Sequence, residues 1–134
     1  MATRYFTAEE ANEALVEVRP LVEEMVERRR ALAQLQERQT VFESQIAGNG
    51  GDFDPGELRE LQQQLGEQAT AVARCVARIH ELGVLVKDLD EGLVDFPARR
   101  GDEDVLLCWK AGEESVAYWH GLEEGFAGRK PLPL

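Results

Sequence analysis

The chain has 134 residues, 43% of them hydrophobic and 31% charged, with a formal net charge of −11, the composition of a folded protein with room for one core. The acidic excess is spread along the whole chain, and the one basic block, Arg28-Arg29-Arg30, sits among glutamates, which excludes nucleic-acid binding by phosphate neutralisation and disfavours an anionic membrane surface. The opening "MATRYFTAEE" has no apolar run behind a basic start and nothing approaches the roughly 20 apolar residues that span a bilayer, so no signal peptide and a cytoplasmic setting are expected.

The first helix starts at a Thr-x-x-Glu capping box, Thr7 to Glu10, with Phe6 placed to pack back over the first turn. Apolar residues then recur at Ala11, Leu15, Val18, Val22 and Met25, and later at Leu32, Leu35, Phe42 and Ile46, mostly at the three- and four-residue steps of one helical stripe. Pro20 interrupts this pattern and predicts a kink, or a break into two helices, because it removes a backbone bond and crowds the preceding turn. The segment "AGNGGDF" at 47–53 ends the helix. A second begins with Asp54 as cap, Pro55 at the first helical position and Glu57 to close another capping box. Its stripe, Leu58, Leu61, Leu65, Ala69, Val72, Val76, Ile79 and Leu82, has coiled-coil steps, and Gly83 supplies a left-handed cap.

After Gly83 the period changes from 3.6 to 2. "VLVKD", "LVDFPAR", "VLLCWK" and "SVAYWH" are short, rich in β-branched and aromatic residues, and separated by "LDEG", "RGDED" and "AGEE" turns. A small antiparallel meander is expected, with Pro97 confining its strand to an edge and "GRKPLPL" as an extended tail. The fold class is therefore α+β: a long antiparallel helical hairpin over residues 8–82, with the first helix kinked near Pro20, then a β-meander over 83–122 and a C-terminal turn and tail over 123–134, all in one domain of 1–134. A straight helix over residues 8–46 is about 58 Å long, whereas a compact chain of this length has a diameter of roughly 36 Å. One meander cannot cover such a hairpin, so a homodimer formed through the helices is expected.

Chemistry-bearing residues concentrate in "LCWKAGEESVAYWHGLEEGFAGR". Strand alternation puts Val105, Leu107 and Trp109 on one face, with Leu106, Cys108 and Lys110 on the other. Trp109 and Trp119 read first as sheet core and second as a ligand-stacking pair. His120 precedes Glu123 and Glu124, and a helical turn there brings imidazole and carboxylate together, able to hold a metal or orient a base, with Asp88, Asp95 or Glu113 as further ligands. The plainer reading is a half-buried histidine bonded to a nearby carboxylate. His80 sits where it favours the C-terminal dipole of the second helix. Asp88, Asp90 and Glu91 open like a calcium loop but lack the rest of its ligand ladder, so they read as turn residues. Arg99, Arg100, Arg129 and Lys130 could collect an anion, though local acids are the nearer partners. The two cysteines, Cys75 and Cys108, make neither a disulfide framework nor a paired-thiol metal motif, and Cys108 has no base close in sequence to activate it. "GFAGR" lacks the preceding strand and length of a phosphate loop and reads as a tight turn that lets Phe126 pack.

Four blocks carry a resemblance: "YFTAEEAN" at Tyr5–Asn12, "LGVLVKDLDEGLVDFPARR" at Leu82–Arg100, "LLCWKAGEESVAYWH" at Leu106–His120 and "GFAGRKPL" at Gly125–Leu132. In this order they resemble an uncharacterised bacterial family catalogued as a domain of unknown function, over essentially the whole chain. The resemblance implies a short, soluble, hairpin-first protein and brings no activity, cofactor or catalytic residue with it.

Two functions follow as expectations. The first is a non-enzymatic homodimer that engages a partner protein or small ligand, with Trp109, Glu113, Trp119, His120, Glu123, Glu124 and Arg129 as candidate ligand-binding residues and no cofactor. The second is a divalent-metal protein or small hydrolase-like enzyme centred on His120, Glu123, Glu124 and Asp95. No complete catalytic constellation is present in the sequence, which favours the first.

Overall fold

The structure, a computed structural model, describes residues 3–134. Two helices, α1 (Ala8–Gly48) and α2 (Pro55–Glu81), precede five strands, β1 (Leu85–Asp88), β2 (Leu93–Arg100), β3 (Glu103–Lys110), β4 (Tyr118–Gly121) and β5 (Lys130–Pro131). The strands form one sheet in chain order, with every neighbouring pair antiparallel. This is an α+β fold in which a helical hairpin packs on one face of a meander.

The caps determine where each helix begins and ends. Thr7 Oγ1 accepts from the Glu10 N–H at 3.1 Å while the Glu10 carboxylate accepts from the Thr7 N–H at 2.9 Å, completing the capping box. At the start of α2 the cap is Asp54 alone, which accepts from the Gly56 N–H; Glu57 closes no box there. The end of α2 is a Schellman motif: the Val84 N–H reaches the Ile79 carbonyl, the Gly83 N–H reaches the His80 carbonyl, and Gly83 has φ +87°. Ile79 and Val84 are both fully buried, so the motif delivers the chain directly into the core.

Pro20 does not divide α1, which is one uninterrupted helix of 41 residues. Pro20 and Val16, whose carbonyl it leaves without a helical donor, are both exposed, so that group is open to solvent. The opposite side of the same turns buries Leu15, Val18, Val22 and Met25, and this packing holds the helix through the proline.

Pro97 lies in β2, an interior strand rather than an edge. The ladder from β1 stops at Asp95, and beyond it the Pro97 carbonyl accepts from the Phe6 N–H at 2.7 Å. The missing N–H therefore falls where β1 no longer offers an acceptor. The C-terminal residues are not a free tail. Lys130 and Pro131 pair with β4, and the Leu132 N–H bonds the Ala117 carbonyl. β4 itself begins at Tyr118. Just before it, Val116 is held on α1 by Asn12, which accepts from its N–H at 2.8 Å and donates to its carbonyl at 3.2 Å.

The core lies between helices and sheet: Phe6, Leu15, Val18, Val22, Met25, Val72, Cys75 and Ile79 meet Val94, Phe96, Ala98, Val105, Leu107, Trp109 and Trp119. Phe6 and Phe96 meet edge to face with ring centroids 5.3 Å apart. No residue of α1 is fully buried between Met25 and Phe42, and none of α2 between Leu61 and Val72. The far half of the hairpin is thus a two-helix arm, carrying Val41 and Phe53 at 52% and 43% exposure. Among the described residues no helix is long and apolar enough to cross a membrane.

Candidate functional site

The sheet is buried on both faces at its centre. The face away from the helices carries Asp95 and Pro97 from β2, Leu106 and Cys108 from β3, and His120 from β4, and all five are buried. Register brings three of them together. Asp95 sits directly opposite Cys108, and His120 sits opposite Leu106, one same-face step along β3. The Asp95 carboxylate, the Cys108 Sγ and a His120 ring nitrogen all lie within 4.8 Å of one another, on residues at most 3% exposed.

Both nitrogens of the His120 ring face acceptors. Nε2 is 3.1 Å from Asp95 Oδ1 and Nδ1 is 2.7 Å from the Gly121 carbonyl. The Gly121 carbonyl can only accept, so Nδ1 carries the N–H of that contact and Nε2 faces the Asp95 carboxylate. Burial, reinforced by the Asp95 carboxylate, pushes the Cys108 thiol up to about 12. An activated thiol needs the reverse, a lowered value and a ring nitrogen of its own. Neither His120 nitrogen is free for it, so the trio is not a nucleophile–base pair.

The return of the chain from β4 to β5 covers this face. Arg129 Nη2 reaches both carboxylate oxygens of Glu113, at 2.9 and 2.7 Å, and its guanidinium lies 4.0 Å from the Tyr118 ring centroid and 4.5 Å from that of Phe126. Glu113 also accepts from the Lys110 N–H, and its carbonyl receives both Trp109 Nε1–H and Arg19, which docks the β3–β4 turn on α1. The Glu124 carboxylate accepts from Lys130 Nζ and from the Gly121 N–H, and these two donors hold it below the usual carboxylate range.

The sequence-predicted residues therefore separate. His120 and Asp95 meet, but Glu123 and Glu124 do not converge with them: Glu123 is exposed and Glu124 clamps the turn. At "HGLEEG" His120 and Gly121 stay in β4 and the chain reverses in a single turn, the Glu124 N–H bonding the Gly121 carbonyl, before the 3-10 turn Phe126–Gly128. Trp109 and Trp119 are core residues at 0% and 8% exposure. Arg100 and Lys130 lie over the Trp119 ring, 5.2 and 4.7 Å from its centroid. Arg99 pairs with Asp104, so it and Arg129 are taken up by local acids. Asp88 caps its turn by accepting from the N–H groups of Asp90 and Glu91, while Asp90 pairs with Arg29 and Glu91 with Lys110.

Cys108 is the member of the trio that sequence spacing passes over. It stands 12 residues before His120 and 13 after Asp95, and only cross-strand register makes them neighbours. The available signal was alternation, which places Cys108 and His120 on faces that coincide once β3 and β4 pair.

No curated protein and no solved structure matches the chain. The model of one family matches residues 4–132, the whole of both helices and the sheet. The chain belongs to that family, the uncharacterized conserved proteins called DUF2203.

Proposed function

We propose that this chain is a non-enzymatic, homodimeric interaction protein in which the sheet and the near half of the hairpin form a rigid base and the far half docks on a second copy. The observation that carries this reading is the half-buried seam of the arm. On α1, Leu32 and Leu35 stay only partly covered, where Leu15, Val18, Val22 and Met25 nearer the sheet are fully buried, and on α2 Leu58 and Leu65 are likewise only partly covered. A two-helix arm without a third layer buries too little to be rigid on its own, and a second arm completes a four-helix bundle.

Charge supports a second copy as the occupant. The arm interleaves Glu27, Glu37, Glu43, Glu57, Glu60 and Glu67 with Arg28, Arg30, Arg38 and Arg59, a surface complementary to itself when antiparallel. The non-enzymatic part is supported by the state of the polar trio, in which each His120 nitrogen already has a partner and the thiol is held protonated. A Leu35→Glu/Leu65→Glu variant tests it. Sedimentation should show the wild-type dimer converted to monomers that keep the near-ultraviolet tryptophan signal of the base. A variant that sediments like the wild type would overturn the arm as the interface.

A further inference from the structure

We propose that Asp95, Cys108 and His120 form a binding site for a single thiophilic divalent cation of the zinc class. The inference is independent of the oligomeric state.

The donor set is one carboxylate oxygen, one sulfur and one imidazole nitrogen, on three adjacent strands and within 4.8 Å of one another. Ligand atoms around a tetrahedral zinc ion stand about 3.3–3.6 Å apart. Asp95 Oδ1 and His120 Nε2 are already 3.1 Å apart, so small side-chain rotations of three residues on a rigid sheet close the set. Mixed sulfur and nitrogen donors select zinc, cobalt or ferrous iron over calcium and magnesium, which need six or more oxygens.

The surroundings fit as well. A metal-ligating histidine characteristically donates its other ring N–H to a backbone carbonyl or carboxylate, and His120 Nδ1 lies 2.7 Å from the Gly121 carbonyl. That contact fixes the ring with Nε2 turned to the other two donors. Charge also balances. A dication is matched by two anionic donors, the Asp95 carboxylate and the Cys108 thiolate, whose proton leaves to solvent, while the Glu113–Arg129 pair beside the site stays neutral. The thiol's resistance to ionisation in the metal-free protein does not oppose this, because a bound dication deprotonates a coordinating thiol outright.

Placement adds a reason for the trio to exist. A buried pair of titratable groups stabilises a fold less than apolar residues of the same volume, and its same-face neighbours Pro97 and Leu106 are apolar. Metal ligation explains why three strands converge polar donors here.

The test titrates Co2+ into the reduced, metal-free full-length protein. The expected result is a near-ultraviolet thiolate-to-cobalt charge-transfer band that saturates at one ion per chain and is abolished by added Zn2+. It should persist in Cys75→Ser and Glu123→Gln and disappear in Cys108→Ser and His120→Gln, with far-ultraviolet circular dichroism reporting that those variants fold. Absence of a saturable band in the wild-type protein overturns the proposal without reference to any variant. So does a band that survives Cys108→Ser or requires Cys75.

Discussion

At the scale of the residue, the chemistry is decided by burial. The His120–Asp95 pair is so enclosed that removing either partner strands the other in a medium that penalises a lone polar group. His120→Ala should lower the unfolding free energy in urea by about 3–5 kcal/mol, whereas Glu123→Ala, on an exposed residue, should change it by less than about 0.5 kcal/mol. The thiols give a second outcome. Burial pushes Cys75 up to about 11 and Cys108 to about 12, Cys75 being further raised by its hydrogen bond to Glu24. Neither should react with a thiol reagent at pH 8 in the native protein, and both should react at once in denaturant. The sign for stability follows: the unfolded thiols ionise near 9.0 and the folded ones later, so stability is whole below that pH and falls as pH rises towards the folded values. Much of this level was legible in the sequence. A lone His in an aromatic strand marks itself, and Asp95 was among its candidate partners. The spacing of Glu123 and Glu124 brings them to His120 only on a helical turn, whereas the chain is strand and then reversal.

At the scale of the element, backbone conformations carry the argument. Gly92 turns β1 into β2 at φ +69°, and a Cβ there would stand 2.8 Å from both the Ala111 and Val26 side chains. Gly92→Ala combines left-handed strain with overpacking against α1 and should cost about 2–3 kcal/mol by urea denaturation. Pro20→Ala should do the opposite. It restores a backbone bond in an exposed helix interior, and thermal melts should show a gain of about 1–2 kcal/mol after the lost rigidity of the unfolded chain is deducted. The helices were readable because stripe, cap and stop signals agree at each end. The break at Pro20 was not there because tertiary packing of Val18, Val22 and Met25 outweighs one absent hydrogen bond. The short β5 escaped because two residues, one a proline, carry no periodicity, and only docking against β4 makes them a strand.

At the scale of the molecule, the chain spends a long hairpin on a small sheet. α1 has 41 residues, about 60 Å at 1.5 Å per residue, and the sheet shields only its first half. The sequence showed this mismatch from length alone, since the helix outruns any compact diameter. What it could not show is where coverage ends, because Leu32 and Leu35 are as apolar as the fully buried Val22 and Met25. Arg29, which takes a seam position between Met25 and Leu32, marks a shift in the stripe but does not say how far the sheet reaches. The proposed dimerisation through the arm would account for the uncovered half. Its most direct measurement is the mass of the full-length protein in solution, by light scattering across the micromolar range. A mass of two chains, unchanged on dilution to low micromolar and lost in the Leu35→Glu/Leu65→Glu variant, is the predicted result. A single-chain mass throughout that range would contradict it.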